Sequence, residues 1–181
     1  MLVLLDRDGV INVDTPTGVL SWEQFVFLPR AVEAIAKLTR AGFRIAICTN
    51  QSAIGKGWMT EATLAEIHQR MVAAIETSGG RIERIYAAPD HPDVPSDRRK
   101  PAPGMLREAL KDFGAEAAHT YFIGDALRDL EAAAAAGCPR ILVRTGKGAA
   151  LAAAGIPPHV APVHTCEDLY AATEYVLTRA Q

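Results

Sequence analysis

Asp6 and Asp8 stand two residues apart at the end of LVLLDRDG, an apolar run with a glycine just beyond it. Such a run reads as a buried parallel strand over residues 2–6. Residues two apart on a strand point to the same side, so both carboxylates are expected to project together past its carboxyl edge. Like charges held that close require a cation, a shared proton or open water. Three further strand-like segments lead to polar residues. FRIAICTNQS ends in Thr49, Asn50, Gln51 and Ser52; Lys100 follows the loop 89–99; TYFIGDALRD carries Asp125, with Asp129 one helical turn later. Each taken alone reads as a polar terminus that starts a turn or caps a helix. Four such ends on one edge of one sheet point instead to a site.

The chemistry that suits these groups is phosphoryl transfer. Carboxylates with no His or Cys beside them fit a hard cation such as Mg²⁺, held by Asp6, the backbone carbonyl of Asp8, and Asp125. Asp6 is then placed to attack phosphorus, and Asp8 to protonate the leaving oxygen and later take a proton from water. Thr49, the backbone amides of Asn50, Gln51 and Ser52, and Lys100 are expected to hold the phosphoryl oxygens, where charge stabilisation dominates.

The elements that must position these residues alternate. The spacing predicts helices over 29–42, 60–80, 101–114, 126–137, 147–155 and 166–180. It predicts strands over 2–6, 43–50, 81–89, 120–125 and 139–146, with a short edge strand over 159–165. Thr60 stands where a cap belongs, Gly42, Gly79 and Gly137 where helices stop, and Pro29, Pro101 and Pro103 where helices start. This order predicts a doubly wound, mostly parallel α/β sheet. At 181 residues the chain is read as one domain, 1–181.

Composition excludes several functions. A net charge of −2 gives no field that gathers nucleic acid, and 6% aromatic residues are too few for a base-stacking surface. No apolar run reaches membrane-spanning length, and Asp6 interrupts the apolar start before a signal peptide can form. Cys48, Cys138 and Cys166 are unpaired by spacing and suit buried thiols in a reducing, cytoplasmic setting.

LDRDGVIN, CTNQS, RKPAPGM and IGDALRDLEAAAAAG, in this order and spacing, resemble the haloacid dehalogenase superfamily of phosphatases. Within it the chain is similar to the family of heptose bisphosphate and histidinol-phosphate phosphatases. The resemblance covers essentially the whole chain. It implies a Rossmann-like fold and a small phosphorylated sugar as substrate. Many relatives carry a separate cap domain, but the intervals 6–49 and 50–100 are each filled by one helix, one strand and loops. No cap is therefore expected here, and the chain is read as a monomer. The resemblance implies Asp6 as nucleophile, Asp8 as acid/base, Asp6, Asp8 and Asp125 on Mg²⁺, and Thr49, Asn50 and Lys100 on the transferred phosphate. Arg99 falls where the family has an arginine, a contact for the substrate's second phosphate, and Asp129 is expected in a supporting role.

Members of this family often carry a zinc loop of C-x-H and C-x-C just before the R-K pair. This chain has Ala88 and Asp90, then Ser96 and Arg98, at those places, so no structural zinc is expected. His91 reads as a surface residue, and the loop is expected to be ordered by its prolines and salt bridges. With no cap, the pocket rim must come from loops 12–25, 51–58 and 88–99. Lys56 and Trp58 read equally as sugar contacts or as a solvated lysine and a core tryptophan. Arg98 reads as solvated. Two rivals stay open: histidinol-phosphate or another small-metabolite phosphatase, and a phosphoacceptor signalling domain. The latter class carries its aspartate on a middle strand of the sequence, whereas Asp6 ends the first.

Overall fold

The computed structural model describes residues 1–179. Its strands are β1 (Leu2–Leu5), β2 (Arg44–Asn50), β3 (Arg84–Ala88), β4 (Tyr121–Gly124), β5 (Arg140–Val143) and β6 (His164–Cys166). They form one sheet in the order β3-β2-β1-β4-β5-β6, with every neighbouring pair parallel. The order reverses between β1 and β4, and in a doubly wound sheet the carboxyl edge at that reversal is where a ligand binds. Leu5 pairs with Ile47 on one side and Ile123 on the other. Asp6 and Asp125 thus follow the ends of β1 and β4, and Thr49 lies near the end of β2, which runs three residues past Ile47, so all three reach the same edge.

The helices are α1 (Ala31–Arg40), α2 (Ser52–Gly55), α3 (Glu61–Thr77), α4 (Gly104–Phe113), α5 (Leu127–Ala136), α6 (Gly148–Ala154) and α7 (Leu169–Arg179). Strand alternation divides the core between the two faces. Val3, Leu5, Ile45, Ile47, Ile123 and Ile141 pack with residues of α1, α3 and α7. Leu2, Leu4, Ala46, Cys48, Tyr86 and Phe122 pack with α4 and α5. Helix α3 begins where Thr60 accepts a hydrogen bond from the Thr63 N–H, and it buries Leu64, Ile67, Met71 and Ile75 along one stripe. The alanines of α5 let it approach the sheet closely, with Ala132 and Ala133 fully buried. Cys48, Cys138 and Cys166 are free and buried, as expected.

Several boundaries differ from the sequence reading. The edge strand starts at His164, not 159, because Pro158–Val160 form a 3₁₀ turn and prolines cannot donate to a ladder. Helix α4 starts at Gly104, after Pro101 and Pro103 rather than at them. Helix α1 starts at Ala31, preceded by Arg30 at φ 60°, where the chain turns into the helix. The stretch 51–58, read as loop, contains α2. The closing helix is described to Arg179, and the predicted Ala180 lies outside the described residues. Among the described residues, only loops and a 3₁₀ turn (Trp22–Gln24) separate β1 from α1.

Candidate active site

Lys100 is the centre of the site. Its side chain is fully buried, and its Nζ lies 2.9 Å from Asp6 Oδ1 and 2.8 Å from Asp129 Oδ1. The backbone at Lys100 is held by Asn50, whose amide donates to the Lys100 carbonyl at 2.9 Å and accepts from the Lys100 N–H at 3.0 Å. The end of β2 thus fixes a lysine that the sequence places fifty residues later. Asp129 Oδ2 accepts the N–H groups of Asp125 and Ala126, closing the first turn of α5. Its other oxygen faces Lys100, which with Arg128 holds the Asp129 carboxyl below its ordinary range despite burial.

Asp6, Asp125 and Asp129 each bring a carboxylate oxygen within 4.8 Å of the others. Burial pushes Asp6 up to about 6, against the pull of Lys100 and with the push of Asp129. Burial, then Asp129 and Asp6, push Asp125 up to about 7. Asp125 Oδ1 is buried without a hydrogen-bond partner. Buried hard oxygens on Asp6 and Asp125, with Asp125 Oδ1 an orphaned acceptor, fit a divalent cation such as Mg²⁺, whose charge offsets the burial and the repulsion that raise both groups.

The expected pairing of Asp6 with Asp8 is not what the structure shows. Strand geometry stops at Leu5 and the chain turns tightly at Gly9, φ 82°, so the two-residue parity no longer applies. Asp6 faces Lys100, whereas Asp8 sits in a separate cluster. The Arg7 guanidinium grips Asp8 through Nη2 at 2.9 and 3.1 Å, and Asn12 and Gln51 each donate to it at 2.8 Å. Although burial pushes the other way, these partners hold the Asp8 carboxyl below its ordinary range. Arg7, which sequence reasoning passed over, is itself fully buried.

At the end of β2, Thr49 is buried and its hydroxyl accepts from Gln51 Nε2 at 2.9 Å. The expected row of free amides is shorter than the sequence suggests. The Gln51 N–H is spent on the Ala88 carbonyl at 2.7 Å, and the Asn50 side chain on Lys100. Ser52 and Ala53 begin α2, where first-turn N–H groups lack intrahelical acceptors, and both line the cleft above the strand ends.

That cleft is also lined by Asp8, Asp14, Thr15, Lys56, Arg99, Arg128 and Lys147. Arg128 and Lys147 were missed. Arg128 lies inside the GDALRD motif, and Lys147 follows β5 in TGKG, a fifth strand end on the same edge. Arg99 and Arg128 are close enough that Arg128, after burial, depresses Arg99. The loop 88–99 contributes only Arg99 to the cleft. Trp58 is not a core residue: it is 52% exposed, with the Nζ of Lys56, which lines the cleft, 4.5 Å from its ring centre. Arg98 is not simply solvated, since it reaches Glu108 at 2.7 Å and the Ala87 carbonyl at 3.3 Å. The loop is fixed more by hydrogen bonds than by salt bridges: Asp90 accepts from the Ser96 N–H, and the Gly104 N–H donates to Asp97. His91 is a surface residue, as expected.

The turn after β5 also closes on the site. Thr145 Oγ1 donates to the Gly9 carbonyl at 2.6 Å, the Lys147 N–H donates to Asp125 Oδ2 at 2.8 Å, and Lys147 Nζ pairs with Asp14 at 2.9 Å. A Cβ on Gly9 would fall 2.2 Å from Asp125 Oδ2, and one on Gly146 would fall 2.1 Å from it. Both glycines have positive φ, so bare backbone packs against this carboxylate from two sides.

A parallel sheet with this switch-point set defines a haloacid-dehalogenase-type hydrolase, and residues 97–172 match the HAD-hydrolase-like family model. The chain is 41% identical over 180 residues to a D-glycero-β-D-manno-heptose-1,7-bisphosphate 7-phosphatase of Bordetella bronchiseptica, covering 99% of each chain. It is 42% identical over 147 residues to the enzyme of that name from Pseudomonas aeruginosa, covering 81% of this chain and 83% of the other. The solved structure of the B. bronchiseptica D,D-heptose 1,7-bisphosphate phosphatase, complexed with magnesium and phosphate, superposes with a TM-score of 0.92 at 41% identity, covering 98% of each chain. The chain belongs to the D-glycero-D-manno-heptose-1,7-bisphosphate 7-phosphatase family.

Proposed function

We propose that the protein is a phosphomonoesterase that removes the 7-phosphate of D-glycero-D-manno-heptose 1,7-bisphosphate through an aspartyl-phosphate on Asp6. The observation that carries this reading is the pair of guanidinium groups, Arg99 and Arg128, on the wall of the cleft that leads to the strand ends. They add cationic charge beside Lys100, with Arg128 in the field of Asp6 and Asp129 and Arg99 further out on the cleft wall, as an additional phosphate requires. The names of the relatives point to the same substrate.

Against the upward push of burial, the Lys100 ammonium, 2.9 Å from Asp6 Oδ1, favours the Asp6 carboxylate. That carboxylate attacks phosphorus while the bond from phosphorus to the sugar oxygen breaks. Asp8 gives that oxygen a proton. It then takes one from the water that hydrolyses the aspartyl-phosphate, and inorganic phosphate leaves with Asp6 restored. Asp8 rests as a carboxylate on Arg7, the form needed for the second half. An arriving phosphate dianion adds a like charge, which favours its protonated form for the first half. Lys100, Thr49 and the amides of Ser52 and Ala53 hold the transferred oxygens. Asp6, the Asp8 carbonyl and Asp125 would hold Mg²⁺, whose charge offsets the repulsion between carboxylate and phosphate. Asp129 keeps Lys100 in place. We read residues 1–181 as one domain, acting as a monomer in the cytoplasm.

The test is phosphate release with Mg²⁺ from both anomers of heptose 1,7-bisphosphate, heptose 7-phosphate and histidinol phosphate. The proposal expects the highest kcat/KM for a bisphosphate, and expects Arg99→Ala to raise its KM about tenfold or more while leaving KM for heptose 7-phosphate nearly unchanged. Equal kcat/KM for histidinol phosphate would assign the site to another small phosphomonoester.

A further inference from the structure

Arg7 spends its guanidinium on three side chains. Nε and Nη2 face Asp8, Nη2 also reaches Gln51 Oε1 at 3.2 Å, and Nη1 lies 3.0 Å from His68 Nε2 on α3. An arginine carries only donors and stays charged. His68 Nε2 must therefore be the acceptor, with its proton on Nδ1, and a protonated imidazole cannot make this contact. Burial and then Arg7 push His68 down to about 3, so the neutral form persists throughout the working range. His68 does not reach the cleft. It lines a different groove, with Ile54, Leu64, Ala87 and Pro89, behind Arg7 as seen from Asp8.

We propose that His68 is a positioning residue: as a neutral acceptor it fixes the Arg7 fork, and the fork fixes where the Asp8 carboxylate stands. A guanidinium is planar, so holding Nη1 determines the direction of Nη2 and Nε. Arg7 has no solvent to take up a freed Nη1–H, since its side chain is 0% exposed. Without His68 the fork turns to seek another acceptor and carries Asp8 with it. The inference rests on Asp8 as acid/base. It adds a residue on the far side of Arg7 that no substrate touches.

The test compares His68→Phe, which removes the acceptor while keeping an aromatic ring, with His68→Gln, whose side-chain oxygen accepts again. Assays use heptose 1,7-bisphosphate and p-nitrophenyl phosphate, with circular dichroism and thermal unfolding as fold controls. His68→Phe is expected to lose on the order of 10- to 100-fold in kcat with KM nearly unchanged, and His68→Gln to recover most of it. Because His68 acts through Arg7, the double variant Arg7→Lys/His68→Phe should be no slower than Arg7→Lys alone. Should His68→Phe fail to fold, His68→Leu takes its place in the same comparison. Wild-type kcat, a loss confined to KM, no recovery by glutamine, or losses that multiply with Arg7→Lys would each overturn the proposal. Asp8→Asn, run alongside, separates the two readings. If it stays active the acid/base assignment is wrong, whereas an inactive Asp8→Asn beside an unaffected His68→Phe defeats only the positioning role.

Discussion

Removing or adding Mg²⁺ should change stability in a pH-dependent way, because Asp6 and Asp125 are held uncharged by the fold more readily than by the unfolded chain. Their folded pKa values, about 6 and about 7, lie above the ordinary 3.8. Between about pH 4 and 7 the native state thus binds more protons than the unfolded state, and stability falls as pH rises. At about 1.4 kcal/mol per tenfold change in proton affinity, ionising this pair of carboxyls costs on the order of a few kcal/mol. His68 has the opposite sign: its folded value of about 3 lies below 6.5, so stability rises with pH across that interval. His68 cancels when the same protein is compared at one pH with and without metal. Mg²⁺ at about 100 times its dissociation constant contributes about 2.7 kcal/mol, or roughly 5–10 °C in Tm for a chain of this size. The assay is thermal unfolding from pH 5 to 8, in EDTA and in saturating Mg²⁺. The expected result is a clear Mg²⁺ shift at pH 8 that shrinks towards zero at pH 5, where protons occupy the carboxylates. Equal shifts at both ends, or a shift that survives in Asp125→Asn, would refute the assignment of these carboxylates to the metal.

Asp6→Asn should abolish phosphate release with heptose 1,7-bisphosphate while leaving the circular dichroism spectrum unchanged; activity near wild type would remove the nucleophile role. Gly146→Ala should lower activity more than stability, since its Cβ would fall 2.1 Å from Asp125 Oδ2 at φ 56°. The backbone strain alone costs about 1–2 kcal/mol, which urea unfolding would report. Metal analysis of the protein purified without chelators should find no stoichiometric zinc, since His91 is the only His or Cys in the loop 88–99.

The sheet was legible because its cause is local. Buried strands between two helical layers require apolar runs such as LVLL and RIAIC, and the caps at Thr60, Gly79 and Gly137 mark the helices between them. The edge rule then placed Asp6, Thr49, Lys100 and Asp125 together without any tertiary information, because parallel strands bring their carboxyl ends to one side. What the sequence left undecided is which groups within that edge touch. The paired reading of Asp6 and Asp8 failed because strand parity ends at Leu5, one residue before the chemistry begins. Whether an arginine in such a loop is solvated or buried depends on contacts far along the chain: the buried Arg7 meets Gln51 on the turn after β2 and His68, sixty-one residues later on α3. Likewise the Asn50 amide is drawn to the Lys100 backbone, and the turn after β5 reaches back to Gly9 and Asp125. The one-dimensional pattern determines which residue types reach the carboxyl edge, since periodicity and capping act over a few residues. Only the packed structure decides their partners, and hence their charge states, because burial and Coulombic neighbours come from segments distant in sequence.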